Sequence, residues 1–170
     1  MKKLIVGLVA VLTLGAFNAS AQNAKIAHID YLAVTDSLPS KIKADKEIES
    51  YIKEEQAIIK ELEVTFQRDY NEYLAKRESF SETVRAVREE ALGQRQQDTQ
   101  VKTQKLQQDI QTLSNRLYKP IEDNLNIAVE TVAKKHNISY VIDKGQTLYA
   151  GGLDLTAEVT AEMLKLEKQP

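Results

Sequence analysis

Two stripes of apolar residues run through the middle of this chain, and both have helical spacing. From Ile48, alternate steps of four and three meet Ile48, Ile52, Glu55, Ile59, Leu62, Phe66, Asp69, Tyr73, Lys76 and Phe80, seven of the ten apolar. A repeat of about 3.5 residues marks a helix packed along a seam against another helix. Glu55, Asp69 and Lys76 interrupt the stripe, so the seam is not a uniform zipper. A second stripe follows: Leu106, Ile110, Leu113, Leu117, Ile121, Leu125, Ala128 and Val132. Between them, from Gly93 to Lys105, the only large apolar side chain is Val101. A helix there has little to bury and persists only as a continuation of its neighbours. That part is expected to be solvated and compliant, with Gly93 a hinge.

Residues 40–137 therefore read as an arm of two antiparallel helices, with Ser40 capping the first. The reversal falls near Glu78 to Thr83. Ser79 with Glu82 fits a capping box, and Ser81 is a competing N-cap. The first helix is expected to run for about 39 residues, roughly 58 Å, and the second for about 56. The end of the longer helix should run past the shorter one, and Pro120 should kink it as a second hinge.

The chain ends are read as a small β body, residues 22–39 and 138–170. KIAHIDY alternates like a strand, with Ile26, His28 and Asp30 on one face and Ala27, Ile29 and Tyr31 on the other. Leu32 to Leu38 reads as a short helical turn stopped by Pro39. ISYVID reads as a second strand. Asp143-Lys144-Gly145 reads as a turn with Gly145 at positive φ, and Gln146 to Ala150 as the strand completing a hairpin. Thr156 is expected to cap a closing helix that places Leu155, Val159, Met163 and Leu166 at helical spacing.

So little sheet offers a very small core. Domains this thin need disulfides, a metal or partner copies. The chain has no cysteine. His28 and Asp30 share a strand face, but a third ligand would have to come from His136 or Asp143, so no metal site is expected. Oligomerisation through the strands remains, with Ile26, Ile29, Ile138, Val141, Ile142 and Leu148 as the contact candidates.

Residues 1–21 read as a secretory signal peptide. Lys2 and Lys3 precede an apolar run from Leu4 to Leu14, too short to span a bilayer, and Ala19-Ser20-Ala21 fits the cleavage rule. Without Lys2 and Lys3, 21 basic residues face 25 acidic ones, a net charge of −4. That balance argues against nucleic-acid binding. There is no phosphate-cradling G-x-x-x-x-G-K-[ST] run, and the carboxylates show no glycosidase pattern. No enzymatic activity and no cofactor are expected.

KIAHID at the start, the Gln/Glu/Lys-rich hairpin, and HNISYVIDKGQTLYAGGLDLTAEVTAEML at the end resemble the Skp/OmpH family of periplasmic chaperones. The resemblance implies an α+β, mostly helical fold. Three copies join their strands into a central barrel, and three arms hang around a cavity. It implies an ATP-independent holdase for unfolded outer-membrane β-barrel proteins. Tyr70, Tyr73 and Phe80, with Arg77, Arg85 and Arg88 nearer the tip, are the client-contact candidates. The chain departs from the strongly basic family members. Between Lys76 and Arg95 it has five basic and four acidic residues. A lipopolysaccharide site is therefore not carried over, and only peripheral membrane contact stays open. The alternative reading is a structural hairpin adaptor or spacer in the cell envelope.

Overall fold

The computed structural model describes Lys25 to Lys168, so the leader segment lies outside the described residues. The elements in order are β1 (Ile26–Ile29), α1 (Tyr31–Thr35), α2 (Pro39–Lys76), a 3-10 turn (Arg77–Ser79) and α3 (Glu82–Lys135). Then come β2 (Tyr140–Asp143), a 3-10 turn (Lys144–Gln146), β3 (Leu153–Asp154) and α4 (Thr156–Leu166). The fold is α+β and mostly helical, and α2 and α3 form the long antiparallel arm.

Each helix end has a physical cause. Asp30 caps α1, its Oδ1 accepting from Ala33 N at 3.0 Å. Ser40 is not the N-cap of α2. Pro39 opens that helix, where its missing N–H costs nothing. The cap comes from the far end of the chain: Glu167, just after α4, accepts from Ser40 N at 3.2 Å and also from its hydroxyl. At the reversal Ser81, not Ser79, caps α3 by accepting from Val84 N at 3.4 Å. The assignment of α3 as helix continues unbroken through Gly93 and Pro120. It stops in a Schellman motif. Asn137 takes φ 53°, Ile138 N donates to Ala133 O at 2.9 Å and Asn137 N donates to Lys134 O at 3.2 Å.

The sheet departs from the sequence reading. Its order is β2-β1-β3, and β1 pairs in parallel with both neighbours. The β1–β2 connection is the whole arm, which supplies the long crossover that parallel strands require. β2 and β3 lie on opposite sides of β1 and run the same way, so they cannot form a hairpin. Gln146 to Ala150 is not a strand. Gly145 does not take positive φ; Asp143 Oδ1 accepts from Gly145 N at 3.1 Å and makes the bend instead. The third strand is only Leu153–Asp154.

The core sits where α1, the body ends of α2 and α3, and α4 meet one face of the sheet. Ala27, Ile29, Val34, Leu38, Ala44, Ile121, Leu125, Ala128, Val132, Leu155, Val159 and Met163 are buried there. The last third of α3 thus runs into the body, as its excess length over α2 predicts. Thr156 opens α4 rather than capping it. Asp154 Oδ1 accepts from Thr156 N at 2.9 Å, and the Thr156 hydroxyl accepts from Asp30 N at 2.9 Å. Among the described residues no helix is long and apolar enough to cross a membrane.

Candidate functional site

The residues singled out in the sequence fall on two surfaces, the sheet and the distal half of the arm. In the parallel register Ile26 lies beside Tyr140, and His28 beside Ile142 and Asp154. Strand alternation puts these on the face opposite Ala27, Ile29 and Val141. Leu148 and Tyr149, before β3, are exposed, as is Leu153, which lies beside Ala27 and so on the other face. On the outer face Ile26, Tyr140 and Ile142 are all exposed. His28 is buried between them, with its Nε2 3.5 Å from Asp154 Oδ2. Hydrogen bonding from Thr156 holds the Asp154 carboxyl below its ordinary range.

The six candidates for contact between copies therefore divide. Ile26, Ile142 and Leu148 are exposed. Ile29 is buried in the subunit's own core, and Ile138 and Val141 pack against it. Ile29 and Val141 lie on the inner face of the sheet, and Ile138 precedes β2; Ile138 and Val141 are only partly buried. Tyr140, which alternates with Val141, is exposed on the same outer face as Ile26 and Ile142. No group of three or more His, Asp or Glu residues is placed to hold a metal among the described residues.

The arm base is fastened by polar contacts. Asp45 Oδ2 lies 2.6 Å from Lys41 Nζ, and Oδ1 accepts from the Tyr118 hydroxyl at 2.7 Å. The Lys41 ammonium also stands 5.2 Å from the Tyr118 ring centre. Lys41 and Tyr118 together hold the Asp45 carboxyl below its usual range. Farther out, two of the three interruptions of the seam prove to be cross-helix ion pairs, Glu55 with Lys102 at 2.5 Å and Asp69 with Arg95, while Lys76 pairs with Glu72 on its own helix at 2.8 Å. From Gly93 to Lys105 only Thr99 and Lys102 are even half-buried, which matches the solvation expected there.

The tip organises its own side chains. Tyr73 is only 5% exposed. Its hydroxyl donates to Glu89 and accepts from Arg77 Nε at 3.2 Å, and the Glu89 carboxylate pushes its pKa up. Its ring stacks on half-buried Phe80 at 6.3 Å, and Arg88 covers Phe80 at 4.7 Å. Arg85 is half-buried. Of the six client-contact candidates, Tyr73 is withdrawn into the seam, and Arg77, Arg88 and Phe80 brace the turn. Tyr70 is exposed and stacks on Phe66 at 5.9 Å.

The seam's two flanks differ at this level. One is a groove of about 450 Å³ that includes Phe66, Tyr70, Leu74, Gly93 and Gln96. The other, about 260 Å³, includes Asp69, Glu72, Arg88 and Arg95. A Cβ on Gly93 would meet nothing within 4 Å, so packing does not demand glycine there. The sequence stripe located the seam but not this sidedness, which depends on how the two helices are rotated against each other.

Comparison with solved structures finds a Caulobacter crescentus CB15 protein, provisionally named an outer membrane chaperone (OmpH-like). The match has a TM-score of 0.73 at 15% identity and covers 85% of this chain and 86% of that one. At that identity the likeness concerns the fold. No curated protein matches the chain. The profile of the outer membrane protein (OmpH-like) family matches residues 25–163, and so includes β1, the whole arm, β2, β3 and most of α4. With that stretch covered from the first strand into the closing helix, the chain belongs to the outer membrane protein (OmpH-like) family.

Proposed function

We propose that this chain is a periplasmic chaperone that encloses unfolded outer-membrane β-barrel proteins and prevents their aggregation without ATP. Its leader is cleaved after Ala21, and three copies assemble through their sheets. One observation carries the reading: a sheet face with Ile26, Tyr140 and Ile142 exposed is joined to an arm that leaves Phe66, Tyr70 and Leu74 partly exposed on one flank, beside Arg77 and Glu89. The face suits contact between copies, since uncovered apolar area of this kind marks an interface. The flank, with Phe66, Tyr70 and Leu74, suits many weak contacts with a client. An unfolded barrel strand alternates apolar and polar residues and pairs readily at its edges. Shielding it calls for a container rather than a sequence-specific pocket. The reading includes no catalytic step and no cofactor.

The test dilutes a denatured outer-membrane protein into buffer with and without the mature chain. Light scattering is expected to fall to the baseline at about one trimer per client, with no nucleotide added. Tyr70→Ser should weaken the protection, and Arg68→Ser, on an exposed site outside the groove, should not. Undiminished scattering with the wild-type chain would remove the chaperone reading.

A further inference from the structure

The seam between α2 and α3 changes character along its length. Toward the body its buried residues are apolar, among them Leu106, Ile121 and Leu125, with cross-helix hydrogen bonds from Tyr51 to Asp109 and from Tyr118 to Asp45 at the margin. At the tip Tyr73 is sealed in. Between them no α2 seam residue is fully buried: Ile52, Ile59 and Phe66 are half-buried and Leu62 is exposed, and two further positions are carboxylates, each met by a cation from α3, with Arg68 of α2 also bonded to Asp69 at 3.1 Å. The carboxylates are enclosed, with the Glu55 and Asp69 side chains 17% and 24% exposed. The cations lie farther out, Lys102 at 35% and Arg95 at 53%. Each pair is thus rooted on α2 and reached by a long, jointed side chain on α3.

Two helices lying side by side cannot bend together in their common plane without sliding along each other. At an interaxial distance of 8–10 Å, a bend of about 20° needs a slide of roughly 3 Å. Interlocked apolar side chains resist that, because each would have to leave its hole. A lysine or arginine can follow its carboxylate by changing rotamers.

We propose that the middle of the arm is a slip joint. Glu55–Lys102 and Asp69–Arg95 keep the helices side by side while letting them slide, so the arm can curve around guests of different bulk. The cations are partly exposed, so salt screens these pairs and ionic strength sets the arm's stiffness. The purpose assigned to the motion rests on the chaperone reading above; the motion itself does not.

The chain has no cysteine, so Lys60→Cys and Gln100→Cys give two unique sites for spin labels, one on each helix. In the full mature protein the distance distribution between them is expected to be broad and to widen from low to high salt. Replacing both pairs with leucine (Glu55→Leu, Lys102→Leu, Asp69→Leu, Arg95→Leu) should narrow it, abolish the salt effect and slow amide exchange across residues 93–105 several-fold. Exchanging the charges within each pair (Glu55→Lys with Lys102→Glu, Asp69→Arg with Arg95→Asp) should keep the wild-type width. A narrow, salt-independent distribution in the wild type would overturn the slip joint, and so would a charge-exchanged form that narrows. Failure to suppress client aggregation would remove only the purpose, since the label distances are read without any client.

Discussion

Ile142→Asp separates the two faces of the sheet most directly. Ile142 is 41% exposed and lies on the outer face, away from the subunit core. Fully burying an isoleucine side chain contributes about 1.5–3 kcal/mol, so covering the exposed part in an assembly contributes about 1 kcal/mol per copy. Three copies lose about 3 kcal/mol, a hundredfold or so in the association constant. Each buried, unpaired carboxylate adds a penalty of several kcal/mol. At micromolar concentration the variant should therefore elute and scatter as a single subunit, whereas the wild type is expected to elute as the proposed trimer. Its helical signal should be unchanged, because Ala27, Ile29 and Val141 still pack inward. Ile29→Asp should instead unfold the body, because Ile29 lies in the core. The assay is mass by light scattering, with circular dichroism on the same samples. Ile142→Asp at the wild-type mass, or a loss of helix as large as that of Ile29→Asp, would refute the assignment of faces.

Glu167→Ala removes the side chain that caps α2 among the described residues and should cost about 1 kcal/mol, as other N-cap losses do; an unchanged urea midpoint would show that water replaces it. Acid should loosen the body. The Asp45 carboxyl is held down by Lys41 and Tyr118, and that of Glu158 by Lys135 and His136. Both folded pKa values lie below the unfolded ones of about 3.9 and 4.3, so the stabilisation is present above that range and is lost as pH falls through the folded values. Tm should hold between about pH 7 and pH 5 and drop below about pH 4. Asp45→Asn should lower Tm at neutral pH and make the acid slope shallower, and a slope as steep as in the wild type would count against the contact.

The arm was legible because a seam writes its period into the sequence. Ile48 to Phe80 and Leu106 to Val132 do so, and even their polar interruptions carried information, since Glu55 and Asp69 mark the cross-helix pairs. Caps made by near neighbours, such as Ser81, could also be read. The cap from Glu167 could not, because it joins residues 127 apart. The sheet was misread for a related reason. Asp143-Lys144-Gly145 looks like a hairpin turn, and local sequence does not reveal that β1 already occupies the place between β2 and β3. At the body surface, alternation within ISYVID separates Tyr140 and Ile142 from Val141. The assignment of Ile29 to the core needed to know which face α3 and α4 cover. At the tip, Tyr73 and Tyr70 are alike in the sequence, and only the helix rotation hides the first and leaves the second open.

The threading of the sheet sets an order on biogenesis. Of the described elements β1 is synthesised first, yet its nearest strand partner starts only at Tyr140, and Glu167, which caps α2 at Ser40, comes later still. The hairpin can form early from local contacts, while the first strand waits unpaired until almost the whole polypeptide has been delivered. A chain cut off near Lys135 would keep two helices and have no hub.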